Sequence, residues 1–220
     1  TSGKYEVSIR RGQKKKSFGE TTLTIKSTTD PDFTPDKGTT VWGNVLCDGV
    51  GVADVVVSDG IQVTKTNAKG IYQLKSAKKW GYVFISVPSG YEVPSQGVLP
   101  LFYSYLSGKA SQVEQKDFSL TKVGDQTKYK MFFFGDMHLA NRTSDKAQFR
   151  VFASDLTKYM QAHGSEKMYG MTLGDMTWDL YWYRNKFSFP EYLDEINRDI
   201  KGLQIFHTMG NHDNDFKIAA

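Results

Sequence analysis

Thiols are nearly absent: the 220 residues contain one cysteine, Cys47. It cannot close an internal disulfide or build a cysteine metal cluster, so the role expected of it is that of a small buried apolar residue. Long hydrophobic runs are missing as well. Nowhere do about 18 apolar residues follow one another, so no membrane-spanning helix is expected. Thr1 is not followed by the charged and apolar segments of a signal peptide. Because the chain begins at Thr and not Met, an export signal removed beforehand stays open as an expectation.

What is present is a globular composition, with 39% hydrophobic, 14% aromatic and 24% charged residues. That is enough to bury a core in one or two domains. Much of the net charge of +4 sits in "RRGQKKKS", residues 10–17. Such a cluster can meet phosphates or anionic lipid, but a solvated loop or hairpin tip is the preferred reading. No aromatic residues interleave with these charges, so no nucleic-acid partner is expected.

Residues 1–38 read as a basic N-terminal segment and linker, closing on the Pro-, Asp- and Gly-rich "TTDPDFTPDKG". From residue 39 to 124 the pattern has period two. "TVWGNVLC", "VADVVVS", "IQVTKT", "IYQLKS" and "YVFISVP" are short β-branched and aromatic runs, and "DFSLTKVG" adds a last strand or a connector. Ser58-Asp59-Gly60 and Asn67-Ala68-Lys69-Gly70 supply turn chemistry between them. An antiparallel β-sandwich follows. The stretches "GVADVVVSDG", "TKTNAKGIYQL" and "GYVFISVPSGY" resemble the carboxypeptidase-regulatory-like or transthyretin-like modules. That resemblance implies a non-catalytic module of a kind common in exported proteins, and hence a periplasmic or cell-surface location.

Residues 125–220 change register. "KYKMFFFGD" and "KMYGMTLGD" are continuous apolar runs, the mark of parallel strands covered on both faces, and "LQIFHTMGN" is a third strand. Between the first two, Ser144 caps a predicted helix to about His163, with Phe149, Phe152, Leu156, Tyr159, Met160 and His163 on one stripe. Pro190 starts another through Leu203, with Leu193, Ile196 and Ile200 facing inward and Glu191, Glu195 and Arg198 outward. The order is βαβαβ, a mixed α/β arrangement following the β-sandwich.

Each apolar strand ends on a glycine and polar residues: Gly135-Asp136-Met137-His138, Gly174-Asp175, and Gly210-Asn211-His212-Asp213. Ligands of an open parallel sheet gather at the carboxyl ends of its strands, so Asp136, His138, Asp175 and Asn211 should converge there. Carboxylate, imidazole and amide oxygen suit Mn, Fe or Zn rather than a calcium loop. The glycines would let the chain turn away sharply. His163 and His207 read as ordinary core or surface histidines.

The blocks D-x-H, G-D and G-N-H-D are similar to those of the calcineurin-like metallophosphoesterases. The resemblance covers residues 128 to about 215 and implies the first half of a four-layer α/β/β/α sandwich. It implies two metal ions, with Asp136 and His138 on the first, Asp175 bridging and Asn211 on the second. His212 would meet the phosphate and the leaving oxygen, oriented by Asp213. The implied reaction is hydrolysis of phosphate mono- or diesters, small or nucleotide-like, by attack of a metal-activated hydroxide.

Two family blocks, a lone His and G-H-x-H, are missing, since the histidines are His138, His163, His207 and His212. The chain is therefore expected to be the front part of a longer polypeptide. Alone it would hold at most one metal ion, weakly, with little or no activity, and a separate C-terminal half is an expected partner. The alternative is a non-enzymatic binding module carrying a vestigial phosphoesterase half. Trp178, Tyr181, Trp182 and Tyr183 in "MTWDLYWYRN" suggest a substrate rim, their alternative being core packing, and Asp179 a support for the metal site.

Overall fold

The computed structural model describes residues 2–11, 14–24, 33–124 and 126–214. In chain order the first strands are β1 Ser2–Arg11, β2 Lys14–Thr24, β3 Val41–Cys47, β4 Val50–Gly51, β5 Val56–Ser58, β6 Val63–Lys65, β7 Ile71–Leu74 and β8 Tyr82–Ile85. They are followed by β9 Tyr91–Glu92, β10 Ser95–Gln96, β11 Leu99–Pro100, β12 Tyr103–Tyr105, β13 Glu114–Gln115 and β14 Phe118–Lys122. β1 and β2 form an antiparallel hairpin closed by the pair Arg11 and Lys14. The basic cluster spans that end; Gly12 and Gln13, and the linker start at residues 28–32, lie outside the described residues.

Two compact units emerge, and they do not follow the linear boundary at residue 124. The first comprises Thr1–Ser86 and Tyr103–Leu120, the second Val87–Phe102 and Thr121–Ala220. In the first, β12, β8, β5 and β6 form an antiparallel sheet in that order. Alternation works as expected there: Val57, Val83 and Ile85 are buried while Val63 and Tyr82 face out. A second sheet is built on β3, with β4 and β7 antiparallel to it. Here the expected all-antiparallel arrangement is corrected, because β13 and the Phe118–Leu120 part of β14 run parallel to β3. β13 is reached only after the long excursion that follows β3, which can return the chain in the same direction, and β14 continues along β3 after residues 116 and 117.

The turns use the predicted side chains. Asp59 Oδ1 accepts the N–H groups of Ile61 and Gln62 at 2.9 and 2.6 Å, and Asn67 Oδ1 those of Lys69 and Ile71 at 2.9 and 3.0 Å. Cys47 is half-buried, not deep in the core, with its sulfur 3.8 Å from Asp48 Oδ2. A buried cation stands out: the Lys78 side chain is fully covered, and its Nζ donates to the carbonyls of Lys109 and Gln112 and to Glu114 Oε1. Hydrogen bonds from Lys78, Ser107 and Lys116 outweigh the effect of burial and hold the Glu114 carboxyl down at about 2.

The second unit carries β15 Tyr129–Phe134, α1 Asp145–Ala162, β16 Lys167–Thr172, α2 Asp179–Arg184, α3 Phe189–Asp199 and β17 Gln204–Phe206. The three strands are parallel in the order β15, β16, β17. Phe134, Ile205, Phe149, Leu156, Tyr192 and Ile196 share one core, and Gly170 sits where a Cβ would lie 2.8 Å from Phe134. The expected burial on both faces is not found. Phe133 and Tyr129, on the alternate positions of β15, are 60% and 56% exposed. The residues 87–102 join this unit through Val98, which is buried in its core and accepts the Ile205 N–H at 2.7 Å.

Both helices start near the expected positions, with local differences. Ser144 precedes α1 in a left-handed conformation without a side-chain cap. Phe152 and Tyr159 of the predicted stripe are 42% and 40% exposed. Ser188 caps α3 in a reciprocal box with Glu191, ahead of Pro190. Glu195 is buried and not outward-facing, because Lys146 of α1, at 3.2 Å, and Arg198 neutralise it.

Candidate metal centre

The loops leaving the three strands are laced together beyond the sheet. His138 N–H donates to the Asp175 carbonyl at 2.9 Å and Leu139 N–H to the Met176 carbonyl at 2.9 Å. Thr208 N–H donates to Thr172 Oγ1 at 2.8 Å. This continues the parallel alignment to the point where the polar blocks begin. As a result, ligand atoms of Asp136, His138 and Asp175 all lie within 4.8 Å of one another. His138 Nε2 is 3.9 Å from Asp136 Oδ1, and its buried Nδ1 has no hydrogen-bond partner among the described residues.

All three residues adopt left-handed backbone, with φ of +46° at Asp136, +43° at His138 and +52° at Asp175. Such conformations cost on the order of 1–3 kcal/mol each and persist only where the surroundings impose them. The strain is thus carried by the three converging residues themselves. Of the three block-leading glycines, Gly174 alone has positive φ, at +101°. Gly210 is needed for a different reason: a Cβ there would lie 2.1 Å from Asp175 Oδ1 and 2.4 Å from its nitrogen. Gly135 meets nothing closer than 3.8 Å, so the expected sharp turn does not rest on it.

Asn211, His212 and Asp213 form a single 3-10 turn beside Asp175. The His212 N–H donates to Asp175 Oδ1 at 2.9 Å, while Asn211 is exposed at the start of the turn. The expectation that Asp213 orients His212 is corrected. Asp213 is buried and accepts from Thr177 N–H at 2.8 Å, Thr177 Oγ1 at 3.0 Å, Met176 N–H at 3.3 Å and Gly210 N–H at 2.9 Å. It clamps the two loops together. The imidazole of His212 instead donates from Nδ1 to Asp179 Oδ1 at 2.9 Å. This bond, reinforced by the carboxylates of Asp175 and Asp213, lifts the His212 pKa above its ordinary value.

Trp178 lies against both histidines, with ring centroids 5.0 Å from His138 and 5.9 Å from His212. Tyr181 packs edge-on to it at 5.4 Å. Trp182 is an anchor, donating from Nε1 to Thr177 Oγ1 at 3.1 Å. None of the four rim aromatics is fully buried. Sequence reasoning missed Arg142, which donates to the His138 carbonyl at 3.1 Å, pairs with Asp145 at 2.7 Å and lies 5.3 Å over the Trp178 ring. Its position four residues after His138 was the available signal. His163 and His207 stand apart from the triad. His163 stacks on Tyr159, and the half-buried His207 donates to the Ile205 carbonyl while accepting from the Tyr192 hydroxyl, desolvation lowering its pKa.

A comparison with protein families matches residues 39–123 to the model described as the N terminal of calcineurin-like phosphoesterase. The match falls on the strand-rich segment expected to be a transthyretin-like module. No curated protein and no solved structure matches the chain.

Proposed function

We propose that residues 126–214 carry part of a metal-dependent site for hydrolysing phosphate mono- or diesters, a reading supported by the match of residues 39–123 to the N terminal of calcineurin-like phosphoesterase. The observation that carries the reading is the convergence of Asp136, His138 and Asp175 at the carboxyl ends of parallel strands. The donor set fits a cation. Two carboxylates and an imidazole converge, and the buried Nδ1 of that imidazole has no hydrogen-bond partner among the described residues.

Asp136, His138 and Asp175 would hold one ion of the Mn, Fe or Zn kind, and Asn211 stands beside Asp175 for a second. When bound, such ions supply positive charge to a phosphoryl group and acidify coordinated water. Asp175 retains lone pairs for this task, because among the described residues its side chain accepts only the His212 N–H, at Oδ1. Asp179 accepts the Nδ1 proton of His212 and favours the protonated imidazolium, whose Nε2 proton would then pass to the departing oxygen and leave the neutral imidazole. Trp178 and Tyr181 flank the site on one side, Trp178 lying against the His212 ring. The remaining coordination positions would be filled by a further polypeptide segment or by substrate.

Manganese titration of the chain, followed by electron paramagnetic resonance, tests the reading. One retained ion, lost in Asp175→Ala, is expected, with slow turnover of p-nitrophenyl phosphate. Failure of the unaltered chain to retain Mn, Fe or Zn would sink the proposal.

A further inference from the structure

Resting on the phosphoesterase reading, the geometry points to a substrate whose alcohol portion is apolar, an alkyl or aryl phosphate ester, held in a cavity next to Asp136. Gly135 and Met137, the two neighbours of Asp136 in the chain, both line a cavity of about 410 Å³. Its walls include Phe134, Phe149 and Phe152. The charge at its edge is already compensated, since the Arg142 guanidinium is engaged by Asp145 and by the His138 carbonyl. Arg142, Asp145 and Gln148 line one part of the cavity, the first two paired with each other, and the phenylalanines offer an alcohol group dispersion on the other.

Placement separates this cavity from the other concave features of the unit. The two that reach Tyr169 and Gln204 lie at the amino-terminal starts of β16 and β17, the opposite end of the strands from the triad. A phosphate held at Asp136 and Asp175 cannot also send its ester group there. The cavity beside Asp136 is one chain residue from a ligand. Phe133 of β15 and Phe152 of α1, 60% and 42% exposed, are the wall residues open to an incoming chain.

Calorimetric titration of the manganese-loaded full chain with inorganic, methyl, butyl and hexyl phosphate tests this. Each added methylene should tighten binding about two- to fourfold until the cavity is filled. Phe152→Ala should remove at least about fivefold of the hexyl advantage while leaving methyl phosphate unchanged. Equal affinity for methyl and hexyl phosphate overturns the inference and leaves the phosphoesterase reading standing. A chain-length effect that survives Phe152→Ala but disappears in Tyr129→Ser places the alkyl group at the other end of the sheet and also overturns it. Absence of any manganese-dependent phosphate binding defeats the underlying reading first.

Discussion

Replacing Asp213 by alanine should loosen both loops of the candidate centre while leaving His212 and Asp179 chemically intact. The carboxylate is buried, and it accepts three backbone N–H groups and one hydroxyl. Each hydrogen bond to a charged acceptor contributes about 1.5–3 kcal/mol, and the donors left behind are themselves penalised. The 3.3 Å bond from Met176 is the weakest, and water can re-enter the space, so the terms do not add. A net loss of about 3–5 kcal/mol follows. In native-state amide exchange that is a fall in protection of about two to three and a half decades at Thr177 and Gly210. Asp179→Ala makes the contrast. Its side chain is one-third exposed and makes one bond, so stability should change by under about 1 kcal/mol while the Nδ1 proton of His212 loses its acceptor. If Asp213→Ala leaves Thr177 and Gly210 protected, the clamp is not what holds the loops.

Gly210→Ala places a methyl group against Asp175 and should weaken manganese binding at least about tenfold with unchanged circular dichroism, read by the same resonance titration. Lys78→Met leaves Glu114 buried without its main partner, and urea unfolding of the first unit should show a loss of about 3 kcal/mol. Because the Glu114 carboxyl is held down at about 2, well below its unfolded value, its contribution is fully present at neutral pH. It should fade as pH falls from about 4.5 toward 2, and Glu114→Gln should flatten that part of the stability profile. A wild-type profile that is already flat there would contradict the assignment.

Much of the architecture was legible because it rests on local pattern. Period-two runs such as "IYQL" and "YVFI" became strands, and the continuous runs around Phe132 and Met168 became parallel neighbours. The triad was legible through its place after strands. What escaped was decided by residues far apart in the chain. Asp213 meets Thr177 across 36 positions, and nothing near it in the sequence distinguishes a loop clamp from a partner of His212. Glu195 looks outward by helical phase, yet Lys146 and Arg198 draw it inside. Val63 and Val83 both sit in alternating strands, but the neighbouring sheet decides which of them is covered.

The passage of residues 87–102 through the second unit has a consequence for how such a molecule can be inherited or reshuffled. The chain leaves one unit, lends Val98 to the other and comes back, so a single crossover at residue 124 cannot exchange the front module cleanly. A graft made there would carry away a core side chain and the acceptor of the Ile205 amide. The two parts are tied as a pair, and a substitute for the first must bring its own plug for the second.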